Sequence, residues 1–400
     1  MRIRSSTPFW PIRDGLVFAH PALGQDVSCE VVVIGGGLSG AMIGYYLAQA
    51  KVDTVLLDKR DIGLGSTSAS TALVMYETDK SLTELRKMRG EEFARKSYTM
   101  CRKSVHKLEQ LVRRLDLDCG LEKRTSLYLA NTKKDASDLE EEYILRRKCG
   151  IRLNYLERSV IEKNFSLSKP AALHSYEAAQ LDPYLLTHGL LNEAGQSLRT
   201  FDRTEAVDFH LDNNGVTIFT DRGFTVKAKK VVFAAGFETM KFFDLKMVKL
   251  KSTFAIATEP VKDFTGWGFD QCLIWETARP YLYMRTTEDR RIVVGGEDED
   301  FVNPARRDRM IPAKARNLLN KLKRMFPSMD LEIGYAWAGT FAETVDSLPY
   351  IGEPKGFRNI YLALCYGANG TNFALMAAEI IRDLYLRNPN PNAELLGLDR

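Results

Sequence analysis

The run Gly35-Gly36-Gly37-Leu38-Ser39-Gly40 holds the spacing G-x-G-x-x-G at Gly35, Gly37 and Gly40. Each of the three glycines meets a physical need of a backbone that must wrap a pyrophosphate: a tight turn, a close approach to the phosphates, and close packing of helix on strand. A helix opening at Leu38 points its free amides and the positive end of its dipole at the same place. Asp58 stands 18 residues beyond Gly40, where a carboxylate accepts hydrogen bonds from ribose hydroxyls. These residues describe a site for a dinucleotide, and by themselves they leave NAD(P) and FAD both open. Tyr281, Tyr283 and Arg285 alternate, so a strand would carry all three on one face. Two phenols and a guanidinium so placed can bind a carboxylate. The five histidines show neither HxxxH nor HExxH spacing and form no cluster with cysteine, so no metal site is expected. No G-x-S-x-G elbow or P-loop occurs, which sets aside the commonest hydrolase and phosphotransferase chemistries.

The elements that must hold these residues can be read from the pattern around them. Residues 29–34 (CEVVVI) form a short β-branched run suited to a strand buried on both faces. Residues 38–50 carry apolar side chains at helical spacing, and residues 54–57 make a second strand ending at Asp58. Strand, helix and strand thus fit in about thirty residues, the size of one βαβ unit. The first thirty residues read as irregular, because Pro8, Pro11 and Pro21 oppose regular helix. Two strand signals flank turns at 212–215 and 221–223, a small meander, and a second group of strands is expected at 253–258, 273–277, 281–285 and 292–294. A final helix is expected from Thr371 to about residue 386. Because the two kinds of strand group alternate, two domains are expected to interleave: residues 1–85, 150–245 and 330–400 in a cofactor domain, and 86–149 and 246–329 in a substrate domain.

Composition sets the outer bounds. The chain has 400 residues, 45% hydrophobic and 27% charged, which is ordinary for a globular protein with a substantial core. Fifty-six Lys and Arg against 52 Asp and Glu leave a surplus of +4, too slight to imply nucleic acid. No window reaches the roughly 18 unbroken apolar residues of a membrane span, and no apolar segment follows the charged N-terminus as in a signal peptide. Six cysteines scattered singly fit free thiols in a reducing compartment, so a cytoplasmic location is expected.

Three further segments narrow the cofactor. Gly65-Ser66-Thr67-Ser68-Ala69-Ser70-Thr71 is a loop of small and hydroxyl residues. Residues 231–236 (VVFAAG) are a buried strand ending in small residues, and Gly367-Ala368-Asn369-Gly370-Thr371-Asn372 introduces the last helix. In this order, with Asp346-Ser347-Leu348-Pro349-Tyr350-Ile351-Gly352 ahead of the terminal segment, the chain resembles the D-amino acid oxidase-like family of FAD-dependent oxidoreductases, which includes glycine oxidase and sarcosine oxidase, from about residue 29 to 386. The resemblance implies an α/β protein, with a Rossmann-type FAD-binding domain interleaved with an α+β substrate domain built on an antiparallel sheet. It implies that Gly35, Gly37, Leu38, Ser39 and Gly40 hold the pyrophosphate, that Asp58 holds the ribose, and that Lys59, Arg60 and the backbone of Val207 lie at the adenine. Ser66, Thr67, Ala69, Ser70 and Thr71 would line the path to the flavin ring, with Ala235, Gly236, Gly339, Gly367, Asn369, Gly370, Thr371 and Asn372 completing the cofactor set. Amides of the last helix would face the ring edge where negative charge gathers on reduction.

The implied reaction is oxidation of a C–N bond of an amino acid or secondary amine by hydride transfer to flavin N5. The imine then hydrolyses, and no side-chain base is required. Tyr283 and Arg285 are the candidate substrate residues. Amino acid oxidases of the family place a carboxylate-binding Arg where Phe341 stands here. Sarcosine oxidase-like members carry a Lys near Asn372 and attach flavin through a cysteine in the 339–341 neighbourhood, where this chain has none. Noncovalent FAD is therefore expected, together with a small amine or amino acid substrate and O2, a quinone or a partner protein as electron acceptor. The alternatives are an NAD(P)-linked dehydrogenase and a non-catalytic flavin-binding redox sensor.

Overall fold

Strands without polar alternation belong at the centre of a sheet covered on both faces, and the run at 29–34 takes that place. In the computed structural model, which describes residues 3–5, 7–244, 248–367 and 369–400, Val27–Ile34 lies between Thr54–Leu57 and Thr225–Phe233, parallel to both. Across this first sheet the order is Tyr350–Gly352, Ile360–Leu364, Thr225–Phe233, Val27–Ile34, Thr54–Leu57 and Leu198–Phe201. The hairpin of Ala206–Leu211 and Val216–Thr220 joins it along the first half of Thr225–Phe233. Alternate residues of one strand feed different cores. Val31 and Val33 pack with Ala41 and Met42 of the helix Leu38–Gln49 and with Phe373 and Ala377 of Gly370–Leu386. Val32 and Ile34 pack on the other side with Ile218, Val226 and Val231.

The second sheet runs Ile333–Thr344, Val248–Thr258, Ile292–Glu299, Tyr283–Thr286, Leu273–Glu276, Glu122–Leu129, Ala171–Gln180 and Leu73–Met75, with Leu153–Glu157 paired to Ala171–Gln180. It is antiparallel except where Leu273–Glu276 runs parallel to Glu122–Leu129. The long helix Pro304–Met325 covers one part of it through Leu318 and Leu322. The fold is thus the expected α/β arrangement of a Rossmann-type domain interleaved with a sheet domain. The division by residue number is different. Leu73–Met75, Leu153–Glu157, Ala171–Gln180 and Ile333–Thr344 all belong to the second sheet, although they fall in stretches expected to build the cofactor domain. Ala171–Gln180 (AALHSYEAAQ) is poor in β-branched residues, so its strand is created by its partners rather than by its own propensity.

The N-terminal lead-in is also more regular than its prolines suggest. Phe9–Asp14 is a short helix with Pro11 in the first turn, where a missing N–H breaks no intrahelical bond. Phe9 and Trp10 are fully buried. No helix among the described residues is long and apolar enough to cross a membrane.

Candidate active site

The turn that follows Val27–Ile34 opens one end of a long cavity whose walls come from both sheets. Gly35 adopts φ +111°, and a Cβ there would lie 2.6 Å from the Ala234 carbonyl oxygen, so only glycine makes this turn. Gly35, Gly37, Leu38 and Ser39 line the cavity. Gly40 does not; a Cβ on it would fall 1.7 Å from the Gly35 carbonyl oxygen, so its part is to let the helix sit directly on the turn. The Thr67 hydroxyl accepts a hydrogen bond from the Leu38 amide at 2.9 Å, which joins the Ser/Thr loop to the helix start.

Asp58, Lys59 and Arg60 line the same end. The Asp58 carboxylate accepts from the Gly36 amide at 2.6 Å and the Arg60 amide at 2.7 Å. Burial pushes its pKa up to about 6 against the pull of these amides. Lys59 pairs with Glu238 at 2.7 Å, and Arg60 grips the same carboxylate at 2.8 and 3.0 Å. Thr204, Glu205 and Ala206 complete this wall. Val207, the next residue along the hairpin strand, turns its side chain outward and is 41% exposed, so only its backbone, beside the lining residue Ala206, is placed to meet an adenine.

The middle of the cavity is lined by Ser66, Thr67, Ala69, Ser70 and Thr71 on one side and by Ala235 and Gly236 on the other. Two indoles fix the loop, Trp10 donating to the Ser70 carbonyl at 2.7 Å and Trp337 to the Ala69 carbonyl at 2.9 Å. Gly339 and Phe341, together with Gly367, Gly370 and Thr371 at the start of the last helix, close around the far half. Asn369 and Asn372 stand behind this wall. Their amide groups donate to the carbonyls of Glu77 (2.5 Å) and Met75 (2.7 Å), which ties the helix start to the strand end at 75–77. No side chain caps that helix start. Ala368 lies outside the described residues.

At the far end Tyr281 and Tyr283 enter the cavity, but Arg285 does not. The shared face continues past the cavity into the core, where the Arg285 guanidinium, 3% exposed, donates to the carbonyls of Ala72, Leu181 and Thr286 and lies under the Trp10 ring. Burial pulls its pKa down to about 9. It fastens elements together and makes no cavity contact, so the expectation that it meets substrate is corrected. Around the two phenols stand Trp275, an aromatic wall, and three residues that no sequence motif singled out, Asp79, Thr253 and Asp298. The Tyr281 hydroxyl donates to Asp79 at 2.6 Å. Burial raises the pKa of Asp79 and pushes that of Asp298 up to about 6. Among the described residues no group of three or more His, Cys, Asp or Glu is arranged to hold a metal ion.

A dinucleotide fits this cavity by the chemistry of its donors and its spacing. The glycine turn leaves a groove without side chains, the Asp58 carboxylate lies buried at the same end, and the helices starting at Leu38 and Gly370 open onto the cavity. A family model described as FAD dependent oxidoreductase matches residues 30–384. Glycine oxidase of Geobacillus kaustophilus is 24% identical over 374 residues, covering 90% of this chain and 93% of the relative. Gamma-glutamylputrescine oxidoreductase of Escherichia coli is 24% identical over 378 residues, covering 90% and 84%. Among solved structures, glycine oxidase from Geobacillus kaustophilus superposes with a TM-score of 0.79 at 21% identity, over 94% of this chain and 99% of the other. L-proline dehydrogenase from P. horikoshii gives 0.73 at 19% identity, over 92% and 96%.

Proposed function

Because the chain belongs to the FAD dependent oxidoreductase family and is an oxidoreductase, we propose that it oxidises the carbon–nitrogen bond of an amine or amino acid, with FAD held noncovalently. The observation that carries this reading is the continuity of one cavity from the glycine turn and Asp58 to the chamber of Tyr281, Tyr283 and Trp275. Bound FAD supplies the hydride acceptor. The chain supplies position and electrostatics. Gly35, Gly37, Leu38 and Ser39 present backbone to the pyrophosphate, and Asp58 accepts from the ribose. The open helix start at Gly370 and Thr371 offers amides where negative charge gathers. Tyr281 and Tyr283 wall the substrate and orient it, while Phe341 and Trp275 keep water from the reacting end.

Noncovalent attachment is supported by the cysteine chemistry of the lining. Cys365 borders the cavity, but burial pushes its thiol up to about 12, so it stays protonated and a poor nucleophile. The test is product analysis. Holoenzyme incubated with a reduced-nitrogen substrate should release one carbonyl product per flavin reduced, and acid precipitation should free all the FAD. Carbonyl-free reduction would overturn the C–N assignment, and flavin retained by the precipitate would overturn noncovalent binding.

A further inference from the structure

The cavity is electrostatically divided. Its lining lysines and arginine, Lys59, Arg60 and Lys241, all stand at the Asp58 end, and all are engaged by Glu238 or Glu205, with Lys241 at 3.0 Å from Glu205. Away from that end the lining carboxylates are Asp79, Asp298 and Glu77, the last paired with Arg146 at 3.4 Å, and among the described lining residues there is no further Lys, Arg or His. A substrate carboxylate entering this chamber would meet two acids and Phe341. We infer that the substrate is an amine bearing a second positive charge, and that Asp79 and Asp298 hold that charge while the amine reacts. The inference rests on the C–N oxidation reading and names its substrate class.

The chamber is built for this placement. Tyr283 lies flat across the neighbouring strand, where a Cβ at residue 295 would lie 2.3 Å from its ring; Gly295 makes that room. The strand Ile292–Glu299 then carries one residue more than its partner, since Ser252 pairs with Glu299 while Phe254 pairs with Gly296. At this bulge Glu297 takes φ +59°. Strict alternation from Gly295 would send residue 297 to the face of Tyr283 and residue 298 away from it. The extra residue reverses that. Glu297 goes out to Lys314 and Lys321 (3.4 and 2.5 Å), and Asp298 enters the cavity.

Three polar atoms there, on Trp275, Thr253 and Asp298, have no hydrogen-bond partner among the described residues, although the Thr253 hydroxyl lies close enough to Asp298 to favour its charged form. The Trp275 indole N–H belongs to a residue only 4% exposed that lines the chamber, and the Asp298 Oδ1 is shut off from solvent. Buried groups of this kind call for a ligand with complementary atoms. The rings of Tyr281 and Tyr283, 5.5 Å apart and tilted by 51°, add π faces that favour a cation. The other charges in range of the acids are Arg279 and Lys80 beside Asp79, Lys251 beside Asp298, and Glu343 near both. Arg279 is exposed and stacks on Tyr281, and Lys251 is held by Glu343 at 2.8 Å, so neither neutralises the chamber from within.

The experiment uses anaerobic FAD-loaded enzyme titrated with 1,4-diaminobutane, n-butylamine and glycine, with binding read from the perturbation of the flavin bands and turnover from their bleaching. The diamine should bind about ten- to a hundredfold more tightly than the monoamine, as expected for charge-assisted hydrogen bonds to a buried carboxylate. Asp298→Asn and Asp79→Asn should each collapse that ratio, and Asp298→Glu should restore part of it. Diamine and monoamine binding within about twofold in the unaltered enzyme, or glycine binding best, would overturn the inference whatever the variants do. A diamine that binds preferentially but bleaches no flavin would leave cation recognition standing and overturn C–N oxidation instead.

Discussion

Replacing Gly40 by alanine and replacing Gly44 by alanine make the same chemical change one turn apart on Leu38–Gln49, with different expected results. Each exchange removes a helical glycine, a gain of up to about 1 kcal/mol. At Gly44 the new methyl carbon would lie 3.1 Å from Leu198 Cδ2, the end of a side chain that can move aside by a few tenths of an ångström. Gain and crowding nearly cancel there, leaving a net change within about 1 kcal/mol of zero. At Gly40 the new carbon would fall 1.7 Å from the Gly35 carbonyl oxygen, against an ordinary carbon–oxygen approach of about 3.3 Å. No rotamer relieves a clash between two pieces of backbone, so the helix start must withdraw by about 1.5 Å. Overpacking of that kind costs about 3 kcal/mol, leaving a net loss of about 2 kcal/mol after the propensity gain.

The same withdrawal carries the Ser39 amide away from the proposed phosphate position and breaks the Leu38 amide's bond to the Thr67 hydroxyl. Losing one charge-assisted hydrogen bond corresponds to about 1.5–3 kcal/mol, or about ten- to a hundredfold in Kd. Titrating FAD into the apoprotein by fluorescence quenching, alongside thermal melts, reads both quantities. If Gly40→Ala binds FAD as tightly as Gly44→Ala and melts at the same temperature, close packing of helix on turn supports neither the fold nor the cofactor.

Arg285→Met should lower Tm, because it strips donors from the buried carbonyls of Ala72, Leu181 and Thr286. A net loss of about 3 kcal/mol is expected once the removed buried charge is counted, with KM of the FAD-saturated enzyme changed less than about threefold; a large KM rise at unchanged Tm would return Arg285 to the substrate. Val207→Glu should leave FAD affinity within about twofold, since residue 207 is exposed and outside the cavity. For a dicationic amine, kcat/KM should fall with acid below pH about 6, where Asp298 of the free enzyme gains its proton and loses its charge. Affinity from this group is present above that pKa and lost as pH drops through it. Asp298→Asn should lack that limb of the profile; an unchanged limb would assign it to another group, Asp79 first.

The cofactor half was legible because its determinants are local. Gly35, Gly37, Gly40 and Asp58 fall within one βαβ unit, and their spacing alone carries the geometry. That Ala206 rather than Val207 turns its side chain inward depends on register with Val216–Thr220 and Thr225–Phe233, which residue types there do not fix. The substrate half is assembled from distant segments: Tyr281 meets Asp79 across 202 positions. Asp298 faces inward only because its strand bulges against Val248–Thr258. The sole local trace of that bulge is Gly295-Gly296 ahead of Glu297-Asp298, a signal with many other meanings. Alternation correctly put Tyr281, Tyr283 and Arg285 on one face, but it carries no information on where a cavity ends.

C–N oxidation on FAD bound in this cavity is tested most directly by the visible spectrum of the purified protein, followed anaerobically as amines and amino acids are added. The expected result is flavin absorption, after reconstitution with FAD if needed, and bleaching of those bands by a dicationic amine at lower concentration than by any simple α-amino acid. A protein that takes up FAD yet is bleached by no amine would contradict C–N oxidation, and one that takes up no FAD would contradict the cofactor site from which the rest is built.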